Sequence, residues 1–111
     1  MTIWHPGDVV VAPFGGAEGI KMRPAVVVTT DLYHMTRPDV LLGIITSQVA
    51  KATQPTDYVL QDWQAASLRF PSAFFRAYFT MVHSRVPRPI GRLSDRDWAE
   101  VQARLRLAIA V

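Results

Sequence analysis

Only one long stretch of this chain carries helical apolar spacing, and that limits its fold more than any motif does. Trp98, Val101, Leu105 and Ala108 fall at three- and four-residue intervals, the stripe of a helix that lies against a sheet. Before residue 94 the chain is a series of short β-branched or apolar runs broken by proline and glycine. The runs fall at 8–14, about 24–30, about 39–46, 58–60 and 73–82. Five or six short strands closed by one helix predict a mainly β (α+β) domain, a small and strongly curved sheet or barrel.

Local signals refine this outline. Ser94 is placed to cap the helix, Asp97 stands three residues on, and Leu93 and Trp98 occupy the staple positions. Asp95 and Asp97 near its start and Arg104 and Arg106 toward its end complement the helix dipole. The run 73–82 alternates with period two: Phe75, Ala77, Phe79 and Met81 are expected in the core. Phe74, Arg76, Tyr78 and Thr80 are expected on a polar-aromatic face suited to a subunit interface or RNA. Gly15 to Gly19 reads as a mobile lid or a hairpin connection, since it matches neither nucleotide-binding glycine motif. The stretch 31–39 reads as a loop, 55–57 as a turn, and 62–66 as one or two turns of helix.

At 111 residues the chain is long enough for one core and too short for two, so 1–111 is expected to be a single domain. It has no cysteine, which removes disulfides and thiolate metal sites. No run approaches the roughly 18 uninterrupted apolar residues of a membrane helix, and Met1–Pro6 lacks the pattern of a secretion signal. A cytoplasmic protein is expected. The net charge of +3 is unevenly spread. Residues 1–62 hold four bases against six acids, whereas 63–94 hold Arg69, Arg76, Arg85, Arg88 and Arg92 with no acid at all. Such a segment is either a solvated basic surface or the electrostatic footprint of a nucleic-acid binder.

Two runs carry polar groups where a core would not want them. Arg23-Pro24 opens the run of Val26, Val27 and Val28, and the apolar run from Val40 ends in Thr46-Ser47-Gln48. A guanidinium and hydroxyls at the ends of successive strands could converge on one patch, and that set suits a phosphodiester. The alternatives for Arg23 are a solvated surface side chain, a partner for Glu18, or a residue kept extended by the following proline.

The order Gly7-Asp8-Val9-Val10, Arg23-Pro24-Ala25-Val26-Val27-Val28, Ile45-Thr46-Ser47, Pro71-Ser72 and Ile90-Gly91-Arg92-Leu93-Ser94 resembles the MazF/PemK toxins of toxin–antitoxin systems. The resemblance spans nearly the whole chain. It implies an SH3-like barrel with a C-terminal helix, of the CcdB/MazF kind, and a homodimer with a groove for single-stranded RNA. It implies a metal-independent, sequence-specific endoribonuclease neutralised by a cognate antitoxin, with Arg23 and Thr46 as the catalytic pair. Lys21, Ser47, Gln48, Arg76 and Arg85 are the expected supporting contacts to RNA; no metal or other cofactor is expected. The chain departs from the family in its short 15–21 loop, in Ser67 where relatives often have glycine, and in Phe74-Phe75 in place of small β-branched residues.

Cleavage without a metal would use the ribose 2′-OH as nucleophile and yield a 2′,3′-cyclic phosphate and a 5′-OH. Arg23 suits charge stabilisation and Thr46 suits donation to the same oxygens. No obvious general base stands beside them. His5, His34 and His83 show no shared site, although His34 and His83 are the better placed; Asp31 reads as a turn residue. Two further functions remain open: a non-enzymatic, CcdB-like binder of a protein such as DNA gyrase, and a degenerate, inactive family member.

Overall fold

Valines at neighbouring positions on β1 (Asp8–Gly16) and β2 (Gly19–Val27) face opposite sides of the sheet, so both sides need cover. The computed structural model describes residues 3–110; Met1 and Thr2 of the N-terminal stretch lie outside it. It adds α1 (Asp31–Thr36), β3 (Asp39–Thr46), β4 (Tyr58–Val59), β5 (Ala73–His83), β6 (Arg88–Arg92) and α2 (Asp95–Ala108). The strands form one antiparallel sheet in the order β4-β5-β3-β2-β1-β6, curled into a half-barrel. One side buries Trp4, Val10, Phe14, Val27 and Leu42. The other buries Val9, Val26, Ile45, Phe74 and Leu93 beneath α2 and the segment 60–68.

The first hairpin is tighter than the glycine-rich stretch suggests. Gly16 pairs with Gly19, so Ala17-Glu18 is a two-residue turn, made possible by Gly19 at φ +98°. The ladder therefore runs on through Lys21, Met22 and Arg23. β2 starts five residues before the predicted 24 and ends at Val27, which puts Arg23 inside a strand. The predicted 31–39 loop holds a short helix, because Thr30 Oγ1 accepts the Tyr33 N–H at 3.2 Å. Segment 62–66 forms consecutive turns. Residues 88–92, outside the runs read as strands, form an edge strand on β1, a position where Pro89 is tolerated.

The largest departure lies in β5. While β3 advances two residues from Gly43 to Ile45, β5 covers five, from Phe79 to Phe74. Arg76 and Ala77 take φ values of 63° and 44° in this bulge. Parity switches across it, which overturns the expected alternation. Phe74 is fully buried over Gly43, Phe75 and Tyr78 pack on one core and Phe79 on the other, and Met81 is half exposed. The Phe74 side chain is therefore not part of any exposed interface face.

The helix follows its sequence signals. Ser94 Oγ accepts the Asp97 N–H at 3.3 Å, and Trp98, Val101 and Leu105 pack on the sheet. Ala108 is exposed, because the helix outruns the sheet there. Asp97 is fully buried and anchors the helix. Its carboxylate accepts the Tyr58 hydroxyl at 2.7 Å and the Gln61 and Asp62 N–H groups at 3.0 and 2.8 Å. Burial, then the bond to Asp97, pushes the Tyr58 phenol up to about 12. Asp62 sits well below the usual carboxylate range, at about 2, because Arg96 and Ser94 donate to it.

Two outcomes follow from this packing. A Cβ on Gly91 would stand 2.5 Å from the backbone oxygen of Ala66, which cannot swing aside. Gly91→Ala should cost about 1–3 kcal/mol in urea unfolding. Tyr58 stays neutral in the fold to a higher pH than in the unfolded chain, so its stabilisation is complete below about pH 10 and is lost as pH rises toward 12. Tyr58→Phe should flatten that loss in alkaline denaturation followed by circular dichroism.

Candidate nucleic-acid interface

A proline has no N–H for a ladder, and β2 meets one at Pro24. The β2–β3 pairing runs only from Val27↔Leu42 to Ala25↔Ile44 and stops there. Continuing that register places Arg23 opposite Thr46 just past the last paired residues. The strands part at that point, and Arg23 and Thr46 line the opening.

Thr46 is half-buried and its Oγ1 accepts the Gln48 N–H at 3.1 Å. That bond occupies a lone pair and leaves the hydroxyl proton free to be donated outward. Arg23 is exposed, and its expected partner is taken, since Glu18 pairs with Lys21 at 2.9 Å. None of the ion pairs among the described residues involves Arg23, Lys51, Arg69 or Arg76.

Arg23 is the wall between two open grooves of about 600 and 580 Å³. The first lies between the β1–β2 hairpin and β5, and Lys21, Gln48, Lys51 and Arg76 line it. Its shape is held by Tyr78, whose hydroxyl donates to the Gly15 carbonyl and whose ring meets Phe14 edge-on at 5.6 Å. Arg76 is set by the bulge: its N–H donates to Asp57 Oδ1 at 2.7 Å, and its guanidinium lies 5.5 Å from the Phe75 ring centre and 5.9 Å from that of Tyr78. Asp57 is buried and also accepts the Gln54 N–H at 3.0 Å. The second groove is lined by Thr46, Ser47, Ser67, Arg69, Phe70 and Ile90 among others, with no carboxylate.

Of the expected site residues, Thr46 and Ser47 thus line the second groove, Lys21, Gln48 and Arg76 line the first, and Arg23 lines both. Arg85 lies in the β5–β6 turn and lines neither groove. The histidines are engaged elsewhere. His5 Nδ1 is 2.7 Å from Asp31, His34 bridges the Trp4 carbonyl and the Thr29 hydroxyl, and His83 Nδ1 accepts the Arg85 N–H. Among the described residues no three metal-ligating side chains converge, and no helix is long and apolar enough to cross a membrane. Lys51, Ser67, Arg69 and Phe70 line the grooves without having been singled out as site residues. The signal was the Arg69-Phe70-Pro71 run, a cation and an aromatic ring in a polar loop. Ser67 takes φ 64°, the left-handed conformation that glycine often supplies in relatives.

A small curled antiparallel sheet with one long C-terminal helix packed on it, and with two open grooves that share Arg23, defines a class of compact β domains. Within that class the family is specific: the model of the PemK-like, MazF-like toxins of type II toxin–antitoxin systems matches residues 5–109, and the chain belongs to this family. Solved structures agree on the fold. An endoribonuclease in complex with its cognate antitoxin from a mycobacterial species is 14% identical, with a TM-score of 0.73 over 97% of this chain and 94% of that one. MazF from Deinococcus radiodurans is 18% identical, with a TM-score of 0.73 over 97% of each chain. A MazE–MazF complex from the same organism is 16% identical, with a TM-score of 0.70 over 97% and 96%. No curated protein matches the sequence.

The role of Asp57 in holding the bulge can be measured without any substrate. Asp57→Ala strips the Arg76 and Gln54 N–H groups of their acceptor and should cost about 1–3 kcal/mol in denaturant unfolding. Arg76→Ala, which keeps the backbone bond, should cost far less.

Proposed function

We propose that the protein is a metal-independent endoribonuclease toxin that cuts single-stranded RNA, with Arg23 and Thr46 at the scissile phosphate. The observation that carries this reading is the unpaired Arg23 guanidinium set across the parted strands from the outward-donating Thr46 hydroxyl. The 2′-hydroxyl loses its proton to water as its oxygen attacks phosphorus. The P–O5′ bond breaks with a proton from water passing to O5′, and the products are a 2′,3′-cyclic phosphate and a 5′-hydroxyl. Two guanidinium N–H groups grip the non-bridging oxygens as charge builds on them, and the Thr46 hydroxyl adds a third donor. Ser47 and Gln48 fix the turn that aims Thr46, while Lys21, Lys51 and Arg76 hold flanking phosphates. No carboxylate or imidazole stands beside Thr46 in the second groove, so positioning and charge stabilisation supply the rate. Sequence-specific cleavage, a homodimeric toxin and neutralisation by a cognate antitoxin complete the reading, supported by family membership and by neighbours solved with antitoxins.

Arg23→Ala should lower cleavage by at least about 10²-fold, the scale of one lost oxyanion donor, with an unchanged melting temperature. Arg23→Lys should rescue poorly, because an ammonium keeps the charge and loses the fork. Thr46→Val should be impaired and Thr46→Ser largely active. EDTA should not slow the wild type. Cleavage at the wild-type rate by folded Arg23→Ala would remove Arg23 from the chemistry and favour a toxin that only binds.

A further inference from the structure

Phe70 is a held ring with no structural task. It is 61% exposed, yet the loop that carries it is pinned on both sides. Ser72 Oγ donates to the Phe70 carbonyl at 2.7 Å, and Leu60 N–H donates to the Ser72 carbonyl at 2.9 Å. On the other side, Ser67 and Leu68 N–H groups donate to the Gln64 and Trp63 carbonyls at 3.0 and 3.2 Å. An apolar ring left in water on a fixed loop gives up burial without gaining freedom. Arg69, next to it, is exposed and has no carboxylate partner among the described residues.

The two grooves that share Arg23 differ in chemistry. The first gathers Lys21, Lys51 and Arg76, with Glu18 paired to Lys21, a net cationic set suited to a phosphate track. Besides the shared Arg23, the second combines an aromatic face, the Arg69 guanidinium and the hydroxyls of Ser47 and Ser67, and no acid. A flat, edge-polar, uncharged group fits that set, and an aromatic ring beside an arginine is how unpaired bases are stacked. Resting on the RNA-cleaving reading, we infer that the second groove is a nucleobase pocket. It takes the base adjoining the cut phosphate, stacked on Phe70 and Arg69, with Ser47 and Ser67 reading its edge. Selectivity then resides in residues 67–70, and general grip on the strand in the basic groove.

The experiment maps the ends left in a long single-stranded RNA, then measures binding to short 2′-O-methyl oligomers varied one base at a time around the preferred cut. Wild type should discriminate by about tenfold at one position beside the cut, the scale of one hydrogen bond to a base edge that stacking holds in place. Phe70→Ala and Arg69→Ala should erase that discrimination and broaden the cleavage pattern while leaving the melting temperature unchanged. Phe70→Leu, which keeps apolar bulk without a π-face, should behave like the alanine variant. Lys51→Ala should weaken all oligomers alike and preserve their ranking. An unaltered ranking and cut pattern in Phe70→Ala, with Arg23→Ala still inactive, would overturn the pocket and leave the RNA reading standing. The same result with weakened antitoxin binding would assign the ring to a protein contact, which also overturns it. A wild type that neither binds nor cuts RNA would remove the RNA reading, and the pocket with it.

Discussion

A single missing N–H organises the working end of this molecule. Pro24 lies inside a strand with a neighbour on each side, and the ladder to β3 has ended by the time the chain reaches it. β1 goes on holding β2, so Arg23 is kept in extended backbone, paired across to Ala12. On its other side the strand is free. The opening is therefore not a gap left by loose packing. It is a place where the ladder lacks a donor, bordered by residues whose backbones are held by β1 on one side and by β5 on the other.

Two buried carboxylates set the elements around that opening. Asp97 gathers the Tyr58 hydroxyl and two backbone N–H groups, binding the start of α2 to the chain that follows β4. Asp57 gathers the N–H groups of Gln54 and Arg76, joining the turn before β4 to the bulge in β5. Neither needs a buried cation, because hydrogen bonds from N–H and O–H groups satisfy the oxygens. Each carboxylate replaces backbone partners that irregular chain would otherwise lack. Arg104 ties the two systems together: its Nε donates to the Asp57 carbonyl at 3.3 Å, and its guanidinium lies over the Tyr58 ring at 5.1 Å.

What was legible in the sequence was what short-range chemistry specifies. The helix start at Ser94, the strand cores and the identity of Arg23 and Thr46 as companions came from local pattern and motif order. The bulge was hidden because its acceptor, Asp57, lies 19 residues before the N–H that it binds. No glycine marks the left-handed pair Arg76-Ala77, so period-two alternation read as an unbroken strand. Of the two readings of Gly15 to Gly19, the hairpin connection holds and the mobile lid does not, because Gly19 supplies the one positive φ that lets the ladder close tightly. Lys51 and Arg69 could not be placed in the grooves until the crossing of β3 and β5 was known. Ser67, visible beforehand as a departure from the family, takes a left-handed backbone that its own residue type did not announce.

The second groove draws its lining from Val11, Arg23, Thr46, Ser67, Phe70 and Ile90, nearly the full span of the chain. Such a site has no local existence. A nascent polypeptide still missing β6 has not yet brought Ile90 and Pro89 to the edge of β1, so one wall is absent until β6 has been made. Partial unfolding at any one of these segments takes the groove apart without touching Arg23 itself. Assembly from distant segments makes the groove an all-or-none site: it exists only once β6 has joined the edge of the sheet.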